Sequence, residues 1–193
     1  MNNTTKLNKR IESSKKYVDA LQEQYSKLNV IRVDLGYKHG SNVTLEEANN
    51  DFNRLLNNMR SKPSIFEHKV GYTCKKEFTK DKGVHIHAFF MFDGQKVQKS
   101  AFKADQIGKY WDESITKEKG SYHNCHRNNY KKNGIGMLEH SDSEKREHLD
   151  EAMAYICKEE QSVGAVSDNK KDREITRGTI PKKRKSNMGR PRS

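Results

Sequence analysis

Cysteine is scarce in this 193-residue chain, and long apolar runs are absent. The three cysteines, Cys74, Cys125 and Cys157, are odd in number and form no C-x-x-C pair. That excludes a disulfide framework and a zinc ribbon, and fits a reducing compartment. His123-Asn124-Cys125-His126 gathers three potential ligands. It lacks the fourth that a structural zinc needs, and reads as a polar loop. Only 32% of residues are hydrophobic, with no membrane-length run and no signal-peptide pattern, so a cytoplasmic protein without a membrane partner is expected. No Gly-x-x-x-x-Gly-Lys-Ser/Thr occurs, so any unwinding of nucleic acid must come from another protein.

What is abundant is charge. Charged residues make up 33% of the chain and the net charge is +12. Such an excess points to a polyanion, nucleic acid first, because release of condensed counterions drives that binding.

Periodicity orders the chain. Leu7, Ile11, Val18, Leu21, Tyr25 and Leu28 recur at helical intervals over about 6–27, giving a helix laid across the domain. Residues 29–37 alternate, with Ile31, Val33 and Leu35 on one face and Arg32, Asp34 and Gly36 on the other: a half-buried strand. Thr44-Leu45-Glu46-Glu47 is a capping box that opens a helix running to about Arg60. A strand within 65–78 and one over 84–92 form a hairpin. Ala101 to about Ile115 is helical, with Phe102, Ile107, Tyr110 and Trp111 as core candidates. A polar stretch, 117–133, precedes a short strand at 135–139 and a last helix over about 144–160, its inner face Leu149, Met153 and Ile156.

The order is helix, β-α-β-β-α-β, helix. This is an α+β, ferredoxin-like split-βαβ antiparallel sheet with helices on one face and an added N-terminal helix. The first and third strands of that arrangement lie side by side. The expected divisions are an N-terminal helical extension (1–28), a catalytic domain (29–162) and a flexible basic tail (163–193). From Lys170 onward ten Lys and Arg face two acids. Lys182, Lys183, Arg184, Lys185, Arg190 and Arg192 are therefore DNA-binding candidates, together with Arg32. Gly189-Arg190-Pro191-Arg192 could lie in a narrow minor groove or act through charge alone.

The chemistry centres on the strand Gly83-Val84-His85-Ile86-His87-Ala88-Phe89. Alternation puts His85 and His87 on one side, about 7 Å apart, suited to gripping one divalent metal. The plainer alternative is a pair of partly exposed polar residues. Glu77, across the hairpin, is the favoured third ligand and Asp34 the competing one. On the last helix, Tyr155 and Lys158 share a face. Beside such a metal the Tyr155 phenolate could attack a scissile phosphate, with Lys158 orienting or neutralising it.

His85-Ile86-His87 with Tyr155-x-x-Lys158 resembles the motifs of the HUH endonucleases, the rolling-circle initiators and relaxases. Closest are the inovirus-type replication proteins and the related YagK/YfjJ C-terminal domain of prophage elements. Arg32-Val33-Asp34-Leu35, Tyr110-Trp111, Gly134-Ile135-Gly136-Met137 and Gly189-Arg190-Pro191-Arg192 add to the likeness. The resemblance implies an Mg²⁺- or Mn²⁺-dependent nickase acting on single-stranded or hairpin origin DNA. It would leave a 5′-phosphotyrosine link and a free 3′-OH for host helicase and polymerase. His85, His87 and Glu77 would be the ligands, Tyr155 the nucleophile and Lys158 its assistant. The single tyrosine leaves the second cleavage unexplained. A non-catalytic nucleic-acid-binding regulator of a prophage or plasmid element is the alternative. A primase-polymerase would need clustered carboxylates, which the predicted strands lack.

Overall fold

The computed structural model describes residues 3–79, 83–157 and 174–182. Its centre is an antiparallel sheet built on β1 (Lys27–Tyr37), β2 (Lys69–Thr79) and β3 (Gly83–Asp93). The strand order is β4-β1-β3-β2-β6, where β4 is Gly120–Asn124 and β6 is Ile175–Arg177. A further strand, β5 (Gly136–Glu139), shares the β4 edge of β1. β4 pairs with residues 33–37, and β5 with residues 27–30. First and third strands are neighbours, as the split-βαβ order requires.

Between β1 and β2 runs α2 (Leu45–Asn58), started by Thr44. Its hydroxyl accepts from Glu47 N, and the Glu47 carboxylate accepts from Thr44 N. A one-turn helix, α3 (Pro63–Phe66), follows. After β3 comes α4 (Ser100–Lys109), continued by a π-helical turn, Tyr110–Ile115. Phe52, Leu55, Ile107, Tyr110 and Trp111 of this layer pack on Ile31, Val33, Ile86, Ala88 and Phe90, forming one core.

The other face is covered at one end only. There α1 (Asn3–Gln22) and α5 (Ser143–Ile156) bury Tyr17, Val18, Leu21, Leu149, Met153 and Ile156 against Val30, Phe89 and Met91. α1 rests directly on β2. A Cβ added to Gly71 would lie 2.7 Å from Leu21 Cδ1 and 2.9 Å from Tyr17 Oη, so any larger residue would have to push these two side chains aside.

Four expectations change. Phe102 is 60% exposed, because it falls on the outer side of α4 while Ile107 and Ala104 take the inner side. The polar stretch 117–133 contains β4, whose backbone completes the β1 edge although its side chains are polar. Part of the segment read as a tail is instead a strand: β6 pairs with β2. α1 is also more than an appendage, since its inner residues are wholly buried.

Leu21→Ala should therefore cost about 2–5 kcal/mol, the usual cost of a core leucine. Urea unfolding would measure it; a loss below about 0.5 kcal/mol, typical of a surface site, would mean that α1 is peripheral.

Candidate metal centre

Three neighbouring strands, each with its side chains alternating between faces, set the site. In one cross-strand row, His123 of β4 faces Asp34 of β1, Asp34 faces His87 of β3, and His87 faces Lys75 of β2. In the next row Ser121 faces Gly36, and His85 faces Glu77. The side chains of both rows lie on the face that α1 and α5 cover only farther along.

Glu77 Oε2 sits 3.2 Å from His85 Nε2 and 3.2 Å from His87 Nε2. Together the three residues offer donor atoms within 4.8 Å of one another, an arrangement that could hold a metal ion. The rings stand edge to face, with centroids 5.3 Å apart. Each ring's other nitrogen turns away: His85 Nδ1 lies 3.4 Å from the Gly83 carbonyl, and His87 Nδ1 lies 2.9 Å from Asp34 Oδ1. Nε2 of each ring is thus the nitrogen turned toward Glu77. Asp34 thus stands behind a ligand, while Glu77 stands with the ligands.

Both carboxylates are held by cations. Lys75, 1% exposed, brings its ammonium to 2.7 Å from Glu77 Oε1, leaving Oε2 for the histidines. Arg32 Nε lies 3.5 Å from Asp34 Oδ1, and its guanidinium lies over the Phe89 ring at 5.3 Å. Burial alone would raise the Glu77 carboxyl, but contacts from His85, His87 and Lys75 outweigh it and hold the group well below the usual carboxylate range. Burial would likewise lower His87, yet Asp34 and Glu77 raise it to about 9. Arg32 Nε, Asp34 Oδ1 and His87 Nδ1 are buried without an aligned hydrogen bond, so charge rather than hydrogen-bond geometry holds this trio. The donor set, two imidazoles and a carboxylate with a second carboxylate behind, fits a divalent ion.

A cleft of about 890 Å³ opens beside the histidines, lined by residues 34–43 of β1 and the loop after it, and by Ser121, Tyr122 and His123. Gly36 keeps its floor low: a Cβ there would meet Ser121 Oγ at 3.4 Å and His85 Cβ at 3.8 Å.

Tyr155 is 64% exposed on the last turn of α5. Its helix is anchored by Leu149, Met153 and Ile156 on the histidine face, where Phe89 lies two residues beyond His87. Just past the helix, burial pushes the Cys157 thiol up, opposed by a hydrogen bond with Ser14 and by the charges of Arg10 and Lys75.

A family model for the YagK/YfjJ C-terminal domain matches residues 1–172. The chain belongs to that family. No curated protein and no solved structure gives a significant match. The YagK/YfjJ match takes in α1, in keeping with that helix's place in the core.

Within this YagK/YfjJ domain the sequence-derived residues divide. Glu77, His85 and His87 come together; Asp34 is next to them, oriented toward His87. Arg32 is spent on Asp34 and Phe89, and its backbone N–H donates to His126 Nε2 at 3.2 Å. Burial, with the charge of Lys145, depresses His126 to about 4, so it is a neutral acceptor. Cys125 is buried in the turn beside it and joins no metal group among the described residues. Lys182 lies on the surface, its carbonyl accepting from Gln24 Nε2. Lys158, Lys183, Arg184, Lys185, Arg190 and Arg192 lie outside the described residues. Sequence reasoning missed Lys75. The alternation Lys75, Glu77 on the predicted strand was the available signal, since it gives them a shared face.

The ion pair with Asp34 should matter to affinity. Asp34→Asn is expected to weaken Mn²⁺ binding by about 10–100-fold, and Glu77→Gln by more; calorimetric titration would measure both. The metal must also displace a proton. His87, raised above its ordinary value, keeps that proton below about 9. Metal affinity should therefore climb by up to about tenfold per pH unit as pH rises toward that value, with proton release in buffers of different ionisation enthalpy. For the metal-free protein the sign is the reverse. The raised His87 contributes stability that is complete below its unfolded value near 6.5 and lost as pH rises through about 9.

Proposed function

We propose that this YagK/YfjJ domain is a metal-dependent endonuclease and strand transferase of the HUH type that nicks single-stranded or hairpin DNA at a replication origin. One observation carries the reading: Nε2 of His85, Nε2 of His87 and Oε2 of Glu77 converge at the edge of an open cleft, on the face where α5 presents an exposed tyrosine. A phosphodiester at the cleft edge would reach the ligand group, and the reading assigns Tyr155 of α5 to attack it.

A divalent ion held by the three residues would draw charge from a non-bridging phosphate oxygen. Mn²⁺ suits the mixed nitrogen and oxygen donors better than Mg²⁺, which prefers oxygen. Asp34 keeps His87 turned toward the centre, and Lys75 keeps Glu77 presenting one oxygen. Tyr155 loses its phenolic proton and its Oη forms a bond to phosphorus. The bond from phosphorus to O3′ breaks, and the departing oxygen takes up a proton to become the free 3′-OH that primes synthesis. Lys158 is assigned to the charged phosphate. With one tyrosine on α5, a single covalent link forms at a time. Extension from the 3′-OH would fall to host helicase and polymerase.

Incubation with single-stranded oligonucleotides and Mn²⁺ should yield a protein–DNA band that survives denaturation. Tyr155→Phe should abolish that band, a loss of more than about 10²-fold in rate for removal of a covalent nucleophile, while oligonucleotide binding persists. An adduct from the phenylalanine variant would move the nucleophile elsewhere. Tight binding by the wild type with neither cleavage nor adduct would favour the non-catalytic regulator.

A further inference from the structure

A second cleft, of about 560 Å³, lies between the first half of α1 and β6. Four cations line it, Lys6, Lys9, Arg10 and Arg177, against one acid, Glu174. Arg10 holds that acid at 3.1 Å. Arg177 is set in place: its guanidinium lies over the Tyr17 ring at 5.2 Å, and one amino nitrogen donates to Ser13 Oγ at 2.9 Å. Lys6 and Lys9 are exposed at the rim. Arginines held in place and exposed lysines around a concave surface suit phosphate oxygens, which take both bidentate and point-charge donors.

The position of the cleft identifies its ligand. β6 pairs with β2 so that Ile175 faces Lys75 and Arg177 faces Thr73, and Lys75 in turn touches Glu77. At about 3.3 Å per residue along a strand and 4.8 Å between strands, Ile175 and Arg177 lie roughly 8 and 14 Å from Glu77. The larger cleft, bordered by β1 and β4, lies on the opposite side of the histidines. We infer that the α1–β6 cleft is a binding site for the phosphodiester backbone of a single nucleic-acid strand, holding the part of the strand on the β6 side of the metal centre. Its role is to grip and orient. The reading needs no cleavage chemistry, so its test stands apart from that of the nick.

The test is the salt dependence of binding of a fluorescein-labelled single-stranded oligonucleotide to the full chain, in EDTA, read by anisotropy. Each phosphate contact on a single strand contributes about 0.7 to the slope of log K against log salt. The paired variant K6Q/K9Q should make the slope shallower by about 1.4 on that basis. K96Q/K99Q, equally exposed but on the loop after β3, at the end far from the histidines, should leave it unchanged. Both pairs sit on the surface, so folding is preserved and circular dichroism should confirm it. An unchanged slope for K6Q/K9Q, or equal changes for the two pairs, overturns the site in favour of diffuse attraction. Calorimetric binding of inorganic phosphate that K6Q/K9Q removes, with the oligonucleotide slope intact, would also overturn it and assign the cleft to a small phosphate compound. Loss of the adduct with Tyr155→Phe, or its absence from the wild type, changes none of these slopes.

Discussion

The site depends on the pairing register of β1, β3 and β2. Asp34 opposite His87, His87 opposite Lys75, and His85 opposite Glu77 are consequences of one alignment of three strands. A slip by a single residue would turn every one of these side chains to the other face, burying His85 and His87 where Ile86 and Ala88 now pack. The register is in turn fixed by that apolar half: Ile31, Val33, Ile86, Ala88 and Phe90 must face α2 and α4. Hydrophobic burial on one face of the sheet thus decides the chemistry on the other.

Charge is arranged with similar economy. Each carboxylate has one permanent cation and at least one histidine: Asp34 lies between Arg32 and His87, Glu77 between Lys75 and the histidine pair. Buried ions are costly unless paired, and here the pairs neutralise one another before any metal arrives. In the metal-free state His87 carries an extra proton, drawn by two acids. A divalent ion bound there would replace that proton, so the net gain in positive charge would be smaller than the ion's own. The centre would then carry excess positive charge, which would favour an anionic ligand over a neutral one.

Much of this was legible in the sequence, for a physical reason. Strands alternate, so His85-Ile86-His87 and Arg32-Val33-Asp34 announced their shared face, and the helix capping box at Thr44 was readable by eye. The choice between Glu77 and Asp34 was not, because both lie on that face. Which one meets Nε2 rather than Nδ1 depends on ring rotation, which no spacing encodes. Lys75 is not legible in this way, because lysine is ordinarily a solvated charge, whereas here it lies 1% exposed on a strand paired with β6 and against Glu77. β4 was hidden for a related reason: Gly120-Ser121-Tyr122-His123-Asn124 lacks an apolar alternation, and its strand form comes from the open edge of β1. Phe102 misled in the opposite sense, an aromatic on the outer side of a helix whose inner side was already filled.

The unequal cover of the histidine face ties these points together. α1 and α5 seal Val30, Phe89 and Met91, while His85 and His87 farther along the same face stay partly exposed. A helix end placed there is held by Leu149, Met153 and Ile156, all buried, and not by a loop. Tyr155 sits between two of those anchors in sequence while its own side chain is open to solvent. Its backbone position is therefore fixed by core packing. If Tyr155 is the attacking group proposed above, the entropy of positioning its backbone is lost once, on folding, and not again when a strand binds.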